Sequence, residues 1–185
     1  MITATQLIPY NPSGDEELKR LKQQFAKLRQ ERVPLYLTLD EFDQILHWKL
    51  RGQYARQRER RKANTDEVVR TITKAALSLT VPDEDYEIEL RFGILCALRG
   101  VSVPVASAIL ALVFPEKYAV IDFRVWRQVF DEERTTFSVS DYKRYLHEIQ
   151  RLAHELGWQV QEVDFAIWEY DRRNSWKPTI NRATS

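Results

Sequence analysis

The sequence predicts an all-α protein of about eight helices. Apolar residues recur at intervals of three and four along most of the chain, helix-capping residues stand before these runs, and no useful stretch alternates as a strand would. The 185 residues suit one helical unit, 1–185, which can bury its own core. We expect loose ends at 1–12 and 175–185, where no such pattern is present.

The boundaries of the first two helices are marked by caps and breakers. Ser13 is a possible cap for the first helix, and Pro34 ends it. Thr38 and Glu41 have the spacing of a capping box and begin the second helix. After Gly52 its apolar face fades into an arginine-rich stretch.

Capping residues also mark the beginnings of the third and fourth helices. Asn64 or Thr65 begins the third, which we expect to bury Val68 and Val69. The fourth begins after Asp83, where a cluster of acidic residues suits the positive end of a helix.

The segment after the fourth helix is the most apolar part of the chain. Gly100 is expected to close the fourth helix in the left-handed conformation, and Pro104 suits the first turn of a fifth helix. Residues 105–114 carry no charge, so this helix is expected to be central and covered on most sides. Pro115 ends it, and Asp122 then has the position of a cap for the sixth helix.

Two more helices complete the prediction. Ser140 is expected to cap the seventh, whose apolar face continues until Gly157 stops it. Val160 and Val163 begin the apolar face of the eighth. The residues after Asn174 are polar and basic.

Composition excludes several classes of protein. The single cysteine, Cys96, rules out an internal disulfide framework and a four-cysteine metal site, and the three histidines are scattered. We therefore expect no metal and no cofactor. No signal peptide and no membrane span is predicted, so a cytoplasmic location is expected.

The net charge of +1 conceals an uneven distribution. Between Lys49 and Lys74 nine basic residues face three acids, which leaves six net positive charges in this segment. Such a stretch suits contact with phosphate, although an exposed helix end would have the same composition.

The segment 84–131 resembles the helix-hairpin-helix superfamily of base-excision DNA glycosylases. Leu98, Gly100 and Val101 match the hairpin of that family. An apolar helix of small residues follows, and Val120 and Ile121 lead to an acid, Asp122, that matches the family's catalytic aspartate. The match covers about 35 residues.

The resemblance implies a two-lobed helical bundle that binds double-stranded DNA and swings one nucleotide into a pocket. Asp122 would be the catalytic carboxylate of a monofunctional glycosylase, stabilising positive charge on the sugar and activating water. Trp48 and Tyr54 would be candidates for stacking on a base. The DNA-binding residues would come from the arginine-rich stretch, the hairpin and the start of the sixth helix, namely Arg56, Arg58, Arg60, Arg61, Lys62, Arg99, Gly100, Val101, Ser102 and Arg124.

The sequence departs from this family at three points. The family's catalytic lysine lies eighteen residues before the aspartate, and that position here is Pro104, so no lyase activity is expected. The second hairpin glycine is replaced by Ser102, and Pro104 lacks an N–H donor, which weakens the expected grip on phosphate. The ligands of the iron–sulfur cluster found in some members are missing.

Each candidate residue has a structural alternative. Asp122 could serve as a helix cap alone, Trp48 and Tyr54 as packing residues, and Arg124 as the ion-pair partner of Asp122. The corresponding alternative function is a non-catalytic interaction or scaffold protein that retains the helical fold without repair activity. The target base and the oligomeric state are not indicated by the sequence.

Overall fold

The computed structural model describes residues 1–10 and 15–174, without the side chain of Gln57, and this part consists of helices joined by short links. It contains ten α-helices, one 3-10 helix and no β-strand, which confirms the all-α prediction. The 3-10 helix spans Arg51–Gln57. The α-helices are α1 Ala4–Leu7, α2 Glu16–Glu31, α3 Leu39–Leu50, α4 Arg58–Arg61, α5 Asp66–Ser78, α6 Glu84–Leu95, α7 Val103–Val113, α8 Phe123–Phe130, α9 Val139–Leu156 and α10 Val160–Asn174.

The eight predicted helices correspond to α2, α3 and α5 to α10, while the four-residue helices α1 and α4 were not predicted. Helices this short have no complete apolar period, so the pattern cannot reveal them. No helix in the described part of the chain is both long and apolar enough to span a membrane.

Helix α7 is the centre of the core, as its lack of charge predicts. Pro104 lies in its first turn, and all nine residues from Val105 to Val113 are buried. It packs against α2, α3 and α6. One polar side chain within it is buried, that of Ser107, whose hydroxyl group donates to the carbonyl of Pro104 in the same helix and accepts from the backbone N–H of Ile121.

The remaining helices form two groups that α6 connects. Helices α2 and α3 contact each other and α7, whereas α8, α9 and α10 contact one another and α1 lies on α9 and α10. Helix α6 contacts α5, α7 and α9. The finer prediction of a glycosylase-like two-lobed bundle stays a prediction.

Several predicted helix boundaries are confirmed. The Thr38 side chain accepts from the backbone N–H of Glu41, and the reciprocal bond of the capping box is also present. Thr65 caps α5, and Asp122 caps α8. Gly157 follows α9 in the left-handed conformation, with φ of 67°.

Three local predictions were wrong. Ser138, not Ser140, caps α9, because Ser138 forms a capping box with Asp141 three residues later. Val68 is 41% exposed, since the buried face of α5 begins one residue later at Val69. Gly100 does not close α6, which ends at Leu95.

The prediction of a loose segment at 1–12 does not fit its described part, residues 1–10. Leu7 is fully buried in α1, and Ile2 is buried and donates its N–H to the carbonyl oxygen of Gln128 at 2.9 Å. These apolar residues find their partners on distant helices, which local patterns cannot show. Ser13 and residues 175–185 lie outside the described residues, and Asp15 caps α2.

A buried carboxylate fastens α8 to α10. Asp171 is fully buried and accepts from Arg124 at 2.9 Å, from Arg127 at 2.7 and 2.8 Å, and from Gln128 at 2.8 Å. The pair with Arg127 is bidentate, the geometry in which guanidinium and carboxylate interact most strongly. These bonds set the position of the helix that Asp122 caps.

We predict that Asp171→Ala lowers the free energy of unfolding by about 3 kcal/mol, because Arg124 and Arg127 lose the buried carboxylate that they share and only the exposed Glu133 remains near Arg127. Chemical denaturation measures this loss. The control is Glu155→Ala, which removes an exposed pair with Arg151 and should cost about 0–1 kcal/mol. A loss below 1 kcal/mol in Asp171→Ala would contradict the assigned role.

Candidate functional site

A short buried segment, residues 118–121, leads into Asp122 without being helical. Its backbone groups are satisfied by side chains from surrounding helices. Val120 N–H donates to Asp164 at 3.1 Å, and Ile121 N–H donates to the hydroxyl of Ser107 at 3.1 Å. The carbonyl of Ala119 accepts from the hydroxyl of Tyr142 at 3.1 Å. These bonds fix the direction in which the chain delivers Asp122 to the start of α8.

One carboxylate oxygen of Asp122 caps helix α8, and the other takes no part in the cap. Its Oδ1 accepts from the backbone N–H groups of Arg124 at 2.9 Å and Val125 at 3.1 Å. Its Oδ2 lies 3.9 Å from the Nζ of Lys49, and the side chain is 24% exposed. The predicted cap is therefore present, and it does not occupy the whole carboxylate.

Asp122 lines a cavity of about 120 Å³ between the end of α3, the segment before α8 and the first half of α10. Three aromatic side chains form much of its wall, those of Trp48, Phe165 and Trp168. Phe165 and Trp168 are stacked with their ring centroids 5.9 Å apart. Such a wall offers flat apolar surface to a ring-shaped ligand.

Asp164 is the second carboxyl group of the cavity and is 4% exposed. Besides the bond from Val120, it accepts from the hydroxyl of Tyr145 at 3.0 Å. Burial, together with the nearby charge of Asp122, raises the pKa of Asp164 to about 7, against the lowering effect of Lys49 and the two hydrogen bonds. One cavity thus holds two carboxyl groups in different environments.

Lys49 places a cation at the same cavity. Its side chain is 11% exposed, and its Nζ donates to the carbonyl oxygen of Ile121 at 3.2 Å. The ammonium group thus both satisfies the buried segment and faces Asp122. Lys117, the lysine nearest to Asp122 in the sequence, instead pairs with Glu87 at 2.8 Å.

Arg51 lies at the edge of the cavity in an unusual backbone conformation. It ends α3 with φ of 44° and ψ of −119°, a region that residues with a β-carbon rarely adopt. Its guanidinium lies 3.4 Å from Asp15 and 5.9 Å from the centre of the Trp168 ring. Strain of this kind, about 1–3 kcal/mol, occurs mostly at functional sites.

The arginine-rich stretch lies beyond Arg51 and does not line the cavity. Arg56, Arg58 and Arg60 are exposed on the 3-10 helix and α4, and they form no ion pair among the described residues. Arg61 is 7% exposed and donates to the carbonyl of Tyr54, and Lys62 pairs with Glu59 at 2.7 Å. Three of the five predicted phosphate contacts are thus exposed and uncommitted, whereas Arg61 is part of the local packing.

The predicted hairpin links α6 to α7 and is tied to the arginine-rich stretch. Asn64 donates to the carbonyl of Arg99 and accepts from its N–H, both at 2.9 Å. Gly100 has φ of 83°, and the side chains of Arg99 and Ser102 are exposed, while Val101 is buried. The Asn64 bonds occupy one of the turn's backbone donors and bring Arg99 beside the end of α4.

Two of the other predicted residues have different partners from those expected. The partner of Arg124 is Asp171, not Asp122, because Arg124 points toward α10. The ring of Tyr54 stacks on His47 at 3.5 Å and is contacted by Arg61 at 4.3 Å, so Tyr54 packs against its own neighbours instead of lining the cavity. Trp48 does line it.

The sequence interpretation missed the polar side chains of α10. Asp164 and Asp171 follow Val160 and Ile167 by four residues each, so they continue the apolar face of that helix. An acid at such a position is the available signal of a buried, partnered carboxylate. In the sequence Lys49 belongs to the basic stretch, and only the fold turns its side chain toward Asp122.

Comparison with known proteins adds no relative: no family model, no curated protein and no solved structure matches this chain. Within the described residues, no group of three or more histidine, cysteine, aspartate or glutamate side chains is arranged to hold a metal ion. The function must therefore be argued from the cavity and from the charged surface beside it.

We predict that the carboxyl of Asp164 titrates near pH 7 in a carbon-13 NMR titration. Asp122→Asn should lower this pKa because it removes a neighbouring negative charge, and Lys49→Met should raise it. Asp131→Asn, outside the cavity, should leave it unchanged. Titration below pH 5 in the unmodified protein would contradict the prediction.

The same pKa has a consequence for stability. Between the ordinary aspartate pKa of 3.8 and about 7 the folded state binds more protons at Asp164 than the unfolded chain does. The contribution of Asp164 to the free energy of unfolding therefore falls as pH rises through this range.

Proposed function

We propose that this chain is a DNA-binding protein of the helix-hairpin-helix glycosylase type, and that Asp122 is the catalytic carboxylate of a monofunctional base-excision glycosylase. The observation that carries the proposal is the divided use of Asp122. Its Oδ1 takes both capping hydrogen bonds, and its Oδ2 remains for a cavity with aromatic walls. A residue that acted as a cap alone would not need a cavity in front of its second oxygen.

The volume of the cavity supports a ring as its ligand. Cavities for complete small-molecule ligands usually measure about 300–1,000 Å³, whereas a cavity of about 150 Å³ accommodates benzene. At about 120 Å³ this cavity is too small for a complete small-molecule ligand, and because it is open to solvent it suits a single planar group that enters it in part. A base swung out of a duplex is such a group, and its sugar would remain at the cavity mouth.

The chemistry proposed for Asp122 follows from its surroundings. When the bond between a base and its sugar breaks, positive charge develops on the sugar ring, and a fixed carboxylate stabilises that charge. Aromatic neighbours reduce the local dielectric constant and so strengthen the interaction. Lys49 places a positive charge 3.9 Å from the second carboxylate oxygen of Asp122 and so partly balances the charge of that group at the cavity.

The surface beside the cavity would bind the DNA backbone. A 3-10 helix rises about 2 Å per residue, so the seven residues from Arg51 to Gln57 span about 14 Å. This length corresponds to about four nucleotides of one strand. Arg56, near the end of this span, and Arg58 and Arg60 beyond it would thus contact phosphates about three or more nucleotides from the one in the cavity, and Arg99 would extend the contact across the Asn64 bonds.

No lyase step is included in the proposal. Pro104 occupies the position of the family's lysine and has no amine to attack the sugar. Lys49 is assigned a different role, because its Nζ is bonded to the Ile121 carbonyl and lies beside Asp122 as a counter-charge.

One observation favours the alternative, a non-catalytic interaction protein. The hairpin has only part of its backbone available, since Asn64 binds both the N–H and the carbonyl of Arg99. A protein that kept the fold but did not bind phosphate would tolerate this loss. Binding to DNA as a function of salt concentration separates the two functions.

We predict that the protein binds duplex DNA with an affinity that falls steeply with salt, as fluorescence anisotropy would measure. Replacing Arg56, Arg58 and Arg60 together by alanine should reduce the slope of log K against log salt by about 2–3, because each phosphate contact contributes about 0.9. The control replaces Lys27, Arg144 and Arg151, which are exposed on other helices. Absent or salt-independent binding would favour the interaction protein.

We predict that Asp122→Asn slows base release at least about 100-fold while DNA affinity is kept or improved. Asparagine caps helices as well as aspartate does, so the fold should be retained, whereas Asp122→Ala should also lower the free energy of unfolding by about 1 kcal/mol. Mass spectrometry of bases freed from duplex DNA carrying deaminated, oxidised and methylated bases measures the release.

The control for this substitution is Asp83→Asn, which changes the capping aspartate of α6 outside the cavity. It should leave base release unchanged. No release by the unmodified protein, or release unaffected by Asp122→Asn, would overturn the catalytic assignment.

A further inference from the structure

Gln161 is a buried side chain of the cavity with an unused hydrogen-bond acceptor. It is the second residue of α10, and its backbone N–H donates to the carbonyl of Pro115 at 2.9 Å. The residue is 1% exposed and lines the cavity together with Asp122 and Asp164. Its Oε1 is buried, and no donor among the described residues lies within hydrogen-bond distance of it.

A buried acceptor without a partner is unfavourable. Most buried side-chain polar atoms in proteins are hydrogen-bonded, and an unpaired one lowers the stability of the fold. An apolar residue of similar size at position 161 would avoid this cost. The position of Gln161 in the cavity wall therefore suggests that a ligand supplies the missing donor.

The cations at the cavity do not supply it, because neither lies within hydrogen-bond distance of Oε1. Lys49 donates to the Ile121 carbonyl, and Arg51 lies 3.4 Å from Asp15. Among the polar side chains that line the cavity, Oε1 of Gln161 has no hydrogen-bond donor, and the nearest cation to Oδ2 of Asp122 is 3.9 Å away. A ligand that satisfies them must present donors.

We infer that Gln161 determines which rings the cavity binds: its Oε1 accepts a hydrogen bond from an amino group or ring N–H on the edge of a planar nitrogen heterocycle. The inference names the substrate class of the proposed site and rests on the proposed function for the identity of that ring as a base. A heterocycle with the same shape but no N–H would leave Oε1 unpaired and would bind at least about tenfold more weakly.

Two small molecules test this without DNA. The amino group is the only N–H donor of 9-methyladenine, and 9-methylpurine has the same ring without any N–H donor. The indole N–H signals of Trp48 and Trp168 in nitrogen-15 NMR spectra, assigned by tryptophan-to-phenylalanine substitution, report binding at the cavity. We expect 9-methyladenine to shift these signals and to bind at least about tenfold more tightly than 9-methylpurine.

Gln161→Leu should abolish this preference, because it removes the acceptor and keeps an apolar side chain of similar size. Gln44→Leu is the matched control, since the Oε1 of Gln44 is also buried and unpaired but Gln44 lies outside the cavity. It should retain the preference. The comparison of the two ligands on the unmodified protein needs no variant, so a folding defect in Gln161→Leu cannot hide the result.

The outcomes separate this inference from the proposed function. Equal binding of the two ligands, or binding of neither, overturns the role of Gln161 even if the protein binds DNA in a salt-dependent manner. A preference for 9-methyladenine that Gln161→Leu removes supports the inference, and it does so even if DNA binding is absent, in which case the proposed function fails and a heterocycle-binding cavity remains.

Discussion

The structure depends on one constraint: the chain crosses the core at residues 118–121 in a non-helical conformation, and buried backbone groups must be hydrogen-bonded. Helices satisfy their own backbone, but this segment relies on side chains from α3, α7, α9 and α10. Its bonds end on Lys49, Ser107, Tyr142 and Asp164. Each unpaired group would cost about 1–3 kcal/mol, so these side chains are as much a part of the core as its leucines.

The same constraint accounts for the chemistry of the cavity. Asp164 is buried because Val120 needs an acceptor, and burial is the main reason for its raised pKa. Lys49 reaches inward because the Ile121 carbonyl needs a donor, which places its ammonium group beside Asp122. The position of Asp122 at the end of the apolar segment 118–121 is thus explained by the hydrogen bonds that hold this segment and by helix α8, which Asp122 caps.

Sequence patterns predicted the features that depend on residues close to one another along the chain. The cap at Asp122, the capping box at Thr38 and the buried helix after Pro104 depend on residues within one or two turns, and all three are present. Contacts between residues far apart in the sequence could not be predicted, such as the pair of Arg124 with Asp171, 47 positions later. Asp164 and Gln161 became site residues only when α10 packed beside α8, a fact that no local pattern contains.

Several residues at the cavity have features that lower the stability of the folded protein. Gln161 has an unpaired buried acceptor, Asp164 is a buried carboxyl group, and Arg51 has a backbone conformation that favours glycine. Apolar residues in place of buried polar groups often stabilise a protein, and strained or unpaired groups persist where function requires them. Scattered singly, such features would carry little weight. The hydrogen bonds of the segment before α8 account for Asp164, but not for the unpaired acceptor of Gln161 or the conformation of Arg51. Because all three residues line one cavity next to Asp122, the proposed ligand would give the other two a common explanation.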